Sequence, residues 1–296
     1  MIKSFFKSNN IEFYEDVSLK KYNTYRLSTV AKYLVFPQSE EELIAILKTI
    51  KENKIKYLIL GNGSNIIFGM DYYDGVIIRL DKLDTLTING NIITVGAGYS
   101  LIKFSNLMAE KGLGDLTFAA GIPGQVGAST AMNAGAYNSA MSDVVKSVKV
   151  LTDNLKIITL TNKELDYSYR DSFLKKHPDY IVLSTTFELE KCDSLEMKER
   201  ISERRKKRLL TQPLDMPSAG SVFRNPENMH AGELIEKCSL KGHNINGAEV
   251  SKKHANFIVN TGSATGKDII ELINLIKKEV KKNYNVELKL EQIIIE

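Results

Sequence analysis

Gly121-Ile-Pro-Gly124-Gln-Val-Gly127-Ala-Ser-Thr130 is the stretch on which the reading of this chain turns. It lies inside Gly112–Gly135, which holds six of the 19 glycines in 24 of the 296 residues, about four times an even share. Glycine at this density marks backbone packed where no side chain fits, or positive φ angles. A pyrophosphate asks for the same thing, closely spaced amide donors with no β-carbon in the way. Tight packing of a glycine-rich crossover is the competing reading. A second loop, Gly61-Asn62-Gly63-Ser64-Asn65, follows a short apolar run, Lys56 to Leu60. The third glycine of GxGxxG is missing, because Ile66 or Ile67 stands there, and no Gly-Lys-Ser/Thr follows. The loop is therefore neither a Rossmann fingerprint nor a P-loop. Read alone it is a tight turn. Two such loops suggest a dinucleotide clamped from two sides.

The elements around this stretch are mixed. Ser39 reads as the N-cap of a helix carrying Glu40, Glu41 and Glu42 in its first turn and Leu43, Ile44, Leu47 and Ile50 at helical spacing. Residues 24–36, 56–60, 75–80, 85–88 and 91–95 read as extended, with Asn89-Gly90 as a hairpin turn between the last two. Leu101 to Lys111 reads as a helix ended by Gly112. Further strands are expected in 145–160 and 180–189, and a charged helix in 194–210. Beyond the break at Thr211 to Pro217, helices are expected over 231–238 and 265–282, and strands over 257–259 and 286–295. A strand-rich, glycine-rich region of about 200 residues thus precedes a smaller βα segment, in keeping with roughly two domains at this length.

Composition narrows the classes. With 43% hydrophobic and 26% charged residues, the chain is globular, not disordered or fibrous. The net charge of +4 is too weak to imply nucleic acid. Cys192 and Cys238 form no CxxC pair, which excludes a disulfide scaffold and a cysteine zinc site. His177, His230, His243 and His254 form no HxH or HExxH, so no metal is expected. No apolar run approaches membrane length, and MIKSFFKSNN lacks a secretory core, so a cytoplasmic protein is expected. The basic run Arg204 to Arg208, preceded by Glu196, Glu199 and Glu203, reads as a solvated helix face. An RNA-binding role for it lacks any aromatic cluster to support it.

Two further stretches offer chemistry. Arg170, in Tyr169-Arg-Asp-Ser172, suits a carboxylate or a developing oxyanion, although an arginine beside Asp171 more often serves a structural salt bridge. Ser221, in Ala219-Gly-Ser-Val-Phe-Arg-Asn-Pro226, can present an unobstructed hydroxyl beside glycine. Phe223 stands where a nucleophile elbow needs its second glycine, which disfavours serine hydrolysis. Read alone, such a serine is usually a cap.

Taken together these segments resemble the UDP-N-acetylenolpyruvoylglucosamine reductase family. The matching pieces are Asn23-Thr-Tyr-Arg26, Leu60 to Asn65, Ala119 to Ala128, Tyr169 to Ser172, Ala219 to Pro226, Ala231 to Glu236 and Lys253-His-Ala-Asn-Phe-Ile-Val-Asn260, all in family order. The short segment between Arg170 and Ser221 resembles the family type that lacks a substrate-capping tyrosine loop.

The resemblance implies an α+β fold: a vanillyl-alcohol-oxidase-type (PCMH-type) FAD-binding domain of two subdomains, 1–82 and 83–205, and a smaller α/β substrate domain, 206–296. It implies noncovalent FAD held at Gly61, Asn62, Gly63, Ser64, Asn65, Gly121, Ile122, Pro123, Gly124, Gly127 and Ala128, with NADPH as hydride donor. The family's proton-donating serine corresponds to Ser221, its arginine to Arg170, and its C-terminal glutamate to Glu291 in Leu288-Lys-Leu-Glu291. Asn225, Lys241 and His254 fall at substrate-contacting places, and Lys241 or Arg224 is expected to stabilise the serine alkoxide. The expected activity is NADPH-dependent, FAD-mediated reduction of UDP-N-acetyl-3-O-(1-carboxyvinyl)glucosamine to UDP-N-acetylmuramate in peptidoglycan precursor synthesis. The expected partners are the sugar nucleotide and NADPH, with a monomeric chain, no nucleic acid and no membrane. A related FAD oxidoreductase with another substrate fits the glycine loops equally well; the segments 219–226 and 254–260 separate the two.

Overall fold

A computed structural model describes residues 2–296. Two compact units emerge. The first comprises, of the described residues, 2–15, 33–61 and 75–205, and the second comprises 16–32, 62–74 and 206–296.

The first unit is built on a five-stranded antiparallel sheet. Its order is Ile157–Thr161, Val145–Leu151, Ile181–Glu188, Ile92–Gly96, Leu86–Asn89. The expected hairpin is present: Asn89 faces Ile92 and Gly90 sits at φ +62°. Helix Leu101–Glu110 buries Leu101, Phe104 and Met108, and Phe104 packs on Phe187 of the sheet with ring centroids 4.9 Å apart. Helix Val126–Ala131 fastens to the same sheet through the hydroxyl pair Thr130 and Thr185, 2.9 Å apart and both buried. Strand 57–59 runs parallel to residues 76–78. Helix Glu40–Glu52 buries Leu43, Ile46, Leu47 and Ile50 on one side, and Ser39 Oγ accepts from the Glu42 N–H at 3.2 Å, which is the expected cap.

In the second unit, helix Gly266–Tyr284 covers the three-stranded antiparallel sheet 244–245, 248–250, 258–260. Ile269, Leu272, Ile273, Ile276 and Val280 are its buried stripe, at the spacing an amphipathic helix requires. Thr265 and Asp268 close a reciprocal capping box at its start.

The C-terminal stretch departs from expectation. Only Ile293–Ile295 is a strand, pairing in parallel with Ile66–Phe68. Residues 286–292 form no ladder, because their backbone is spent on the loop after Ser218. Arg224 N–H donates to Lys289 O at 2.9 Å, Glu291 N–H to Val222 O at 2.8 Å, and Phe223 bridges Leu290.

Candidate active site

In the first unit, the glycine loop 121–128 is read by its backbone bonds. Gly124 N–H donates to Ile122 O, Val126 N–H to Tyr99 O and Gly127 N–H to Ala97 O, all at 2.8–2.9 Å. A β-carbon at Gly127 would lie 2.7 Å from that of Ala97. Gly127 therefore serves close packing, the competing reading of this stretch. Ala128, one residue on, is exposed at the start of helix 126–131, whose N-cap Gln125 makes no side-chain cap.

Gly61 meets this corner. A β-carbon there would stand 3.3 Å from Ala128 Cβ and 3.4 Å from Gln125 Oε1. Three polar side chains hold the corner, and the sequence reading picks out none of them. Arg79, 6% exposed, forks onto both oxygens of Asp81 at 2.6 and 2.7 Å and donates through Nη1 to Gly61 O at 2.5 Å. Gln125 Nε2 donates to Asp81 Oδ1 at 3.0 Å. Their only sequence signal is a charged pair closing an otherwise apolar strand. With hydrogen at 61 and methyl at 128, the corner presents main chain rather than side chains, which fits close approach of a dinucleotide phosphate.

Arg170 also belongs to this unit. Ser168 and Asp171 exchange backbone bonds at 3.0 and 3.1 Å, closing a turn with Arg170 at φ +56°. Asn133 Nδ2 donates to Ser168 O and Ser172 Oγ to Ala131 O, so the turn is tied to the glycine-rich segment. The Arg170 guanidinium donates through Nη2 to Gly135 O at 2.6 Å and sits 5.4 Å from the Tyr169 ring centroid.

The basic run of 204–208 differs from a uniformly solvated face. Arg204 donates to Thr117 Oγ1 at 2.6 Å and stacks 4.5 Å from the Tyr137 ring centroid, while Arg205, Lys206 and Lys207 are exposed. The local charge pattern carries no mark of the distant aromatic partner.

In the second unit, Gly63 cannot carry a side chain. It sits at φ +59°, and a β-carbon would lie 2.4 Å from Tyr22 O and 2.7 Å from Asn23 Cα. Left-handed backbone and overpacking together predict that Gly63→Ala lowers stability by about 2–4 kcal/mol. A denaturant midpoint unchanged from wild type would contradict this. The loop is further fastened at Asn65, whose Nδ2 donates to Glu291 O at 3.2 Å while its own carbonyl accepts from Ile293 N–H.

Ser221 follows Gly220, which has φ +74° and open space where a β-carbon would be. Ser221 lies outside the helices and strands, so it does not start a helix. Gln292, 3% exposed, braces the approach, its Nε2 donating to Ala219 O at 3.0 Å and its Oε1 accepting from the Tyr25 hydroxyl at 3.0 Å. Burial pushes the Tyr25 hydroxyl far above the ordinary tyrosine value, so it stays protonated and donates. The Val222–Glu291 bond sets Glu291 beside the serine's loop, as the position of both in one unit requires.

Ser221, Asn225, Gly232, Lys253, His254 and Asn256 line one cleft of about 520 Å³. Asn225 Oδ1 accepts from Ala231 N–H at 3.1 Å, which caps helix Ala231–Lys237. Burial holds the His254 imidazole below the ordinary histidine value, and the Lys241 charge pushes the same way. Lys241 itself is not part of that lining; it pairs with Glu236 at 2.7 Å. Arg224 keeps its Nε buried without a hydrogen-bond partner.

Comparison with known proteins fixes the class. Residues 31–161 match the model of an FAD binding domain, and residues 212–295 match that of the UDP-N-acetylenolpyruvoylglucosamine reductase C-terminal domain. A glucooligosaccharide oxidase from Acremonium strictum shares the fold at 13% identity, with a TM-score of 0.51 over 98% of this chain and 60% of that one. The chain is thus a flavin-dependent oxidoreductase with a PCMH-type FAD-binding fold.

Its relatives are more specific. A UDP-N-acetylenolpyruvoylglucosamine reductase of Clostridium novyi is 41% identical over 96% of this chain and 92% of its own length. One from Lactobacillus acidophilus is 40% identical over 98% and 97%. The crystal structure of the enzyme from Thermus caldophilus superposes with a TM-score of 0.81 at 32% identity, covering 97% of this chain and 99% of that one. The chain belongs to the UDP-N-acetylenolpyruvoylglucosamine reductase family.

Proposed function

We propose that this chain reduces the enolpyruvyl ether of UDP-N-acetylglucosamine to UDP-N-acetylmuramate, a step of peptidoglycan precursor synthesis, with NADPH as the source of hydride. The observation that carries the reading is that Ser221 lines one cleft with Asn225 and His254 while the residue after it is bonded through its main chain to Glu291, in a chain of this family. Residues 1–82 and 83–205 are the proposed cofactor subdomains, with 206–296 supplying most of the substrate side. The chain acts as a cytoplasmic monomer on small molecules; among the described residues no helix is long and apolar enough to cross a membrane.

Bound FAD supplies the hydride for the terminal vinyl carbon of the substrate. The corner at Gly61 and Ala128 is where its phosphates would meet main chain, with Arg79, Asp81 and Gln125 fixing that corner. Loops 62–65 and 121–124 complete the holding set. As the carbon–carbon double bond opens, negative charge spreads toward the substrate carboxylate. Arg170 stabilises that charge with a fixed planar cation. Ser221 donates the proton to the carbon that bears the carboxylate, so the bond gains one hydride and one proton and the lactyl ether is complete. Serine is a weak acid, and Arg224, three residues along, or Lys241 compensates the alkoxide left behind. Glu291 polarises the same group of residues from the paired segment. Asn225 and His254 contact the substrate along the cleft.

The test is direct. The purified protein should be yellow and should consume NADPH in proportion to added enolpyruvyl sugar nucleotide. A yellow protein whose reduced flavin is reoxidised by another compound, and not by this one, would overturn the substrate.

A further inference from the structure

We propose that Asn256 is a positioning residue for Ser221, clamping the two peptides that follow it and fixing the hydrogen-bonding face of His254. The proposal rests on the reading of Ser221 as proton donor.

Asn256 is 4% exposed and all its polar groups are engaged. Its Oδ1 accepts from Phe223 N–H at 3.0 Å and its Nδ2 donates to Phe223 O at 2.8 Å. One side-chain amide thus pairs with both main-chain groups of a single residue, as a strand neighbour would. The segment needs this substitute because it forms no ladder of its own beyond the single Phe223–Leu290 bridge. The carbonyl of Asn256 also accepts from Val222 N–H at 2.9 Å, while Val222 O accepts from Glu291 N–H. Both peptides after Ser221 are therefore held from opposite sides by two segments. Only an amide offers a donor and an acceptor from one plane of this size; an aspartate would offer two acceptors to a carbonyl and an N–H.

The same residue acts on its neighbour in the cleft wall. Asn256 N–H donates to His254 Nδ1 at 3.2 Å. A main-chain N–H cannot accept, so Nδ1 must be the unprotonated nitrogen of a neutral ring, and Nε2 carries the proton. His254 then offers an N–H donor, not a cation. The clamp sets the serine hydroxyl and this donor by one and the same residue.

A double-mutant cycle on the FAD-loaded enzyme tests it, with each half-reaction followed through flavin absorbance. Asn256→Ala is expected to slow reoxidation of reduced flavin by the sugar nucleotide about ten- to hundredfold, the usual cost of a misplaced group. Flavin reduction by NADPH should stay within about twofold of wild type, and so should the cost of Asn256→Ala in a Ser221→Ala background. Equal losses in both half-reactions, or an undiminished loss without the serine, would overturn the clamp. Ser221→Ala alone reports on the underlying reading, so the two failures are separable. Asn256→Asp, which keeps the acceptor for Phe223 N–H, should fall between the wild type and Asn256→Ala, and it serves if the alanine variant does not fold. Nitrogen NMR of histidine-labelled holoenzyme should show His254 with Nδ1 bare and Nε2 protonated. The opposite tautomer would overturn the assignment.

Discussion

Ser221→Ala is expected to reduce turnover of the enolpyruvyl sugar nucleotide by about 10²–10⁴-fold, the range attributed to a positioned general acid. This corresponds to about 3–5 kcal/mol of transition-state stabilisation. The loss should be confined to one half of the cycle. Hydride arrival from NADPH needs no proton from the serine, so the flavin should still bleach at the wild-type rate and then wait. Stability should hardly move, within about 0.5 kcal/mol, because residue 221 sits in irregular chain and is only partly buried. Stopped-flow absorbance separates the two phases, and a melting curve checks the fold. Normal turnover by the alanine variant would remove the proton-donor role. A loss of the same size in both phases would instead point to damaged cofactor binding.

Local signals in the sequence translate well into structure. Ser39 lies where its hydroxyl meets a first-turn N–H, and Asn89-Gly90 turns a hairpin, because capping and turn chemistry act within four residues. The convergence of Ser221, Asn225 and His254 on one cleft was legible through family motifs, not through periodicity. What remains hidden is long range. Nothing near residues 16–32 or 62–74 announces that they pack with residues 206–296; that follows from Ile293–Ile295 pairing with Ile66–Phe68 and from Asn260 Nδ2 donating to Tyr25 O at 2.8 Å. The polar fasteners Arg79, Gln292 and Asn256 are hidden for the same reason. Each ties its own stretch to main-chain partners between 18 and 73 residues away. Lys241, at a substrate-contacting place by resemblance, reaches the cleft through Glu236, a lining residue that it pairs with at 2.7 Å.

Replacing Arg170 separates catalysis from architecture in an unusual way. Its guanidinium donates to Gly135 O, so a merely structural role is a real alternative, and a simple alanine variant would confound the two. The backbone offers a cleaner choice. Arg170 sits at φ +56°, where a residue with a β-carbon costs about 1–2 kcal/mol relative to relaxed backbone and glycine costs little. Arg170→Gly therefore relieves strain while losing the bond to Gly135 O, worth about 0.5–1.5 kcal/mol, and the contact with the Tyr169 ring, so gain and loss partly offset. The melting temperature should stay close to wild type. Turnover should nonetheless fall about 10²–10³-fold, as when a preorganised group facing developing charge is removed. Because that charge exists only as the double bond opens, the loss should appear mainly in kcat and less in KM. Arg170→Lys keeps the charge and forfeits the planar fork, so it should recover part of the rate but not all of it. Turnover that tracks the melting temperature across both variants would make Arg170 a fastener of its turn and nothing more.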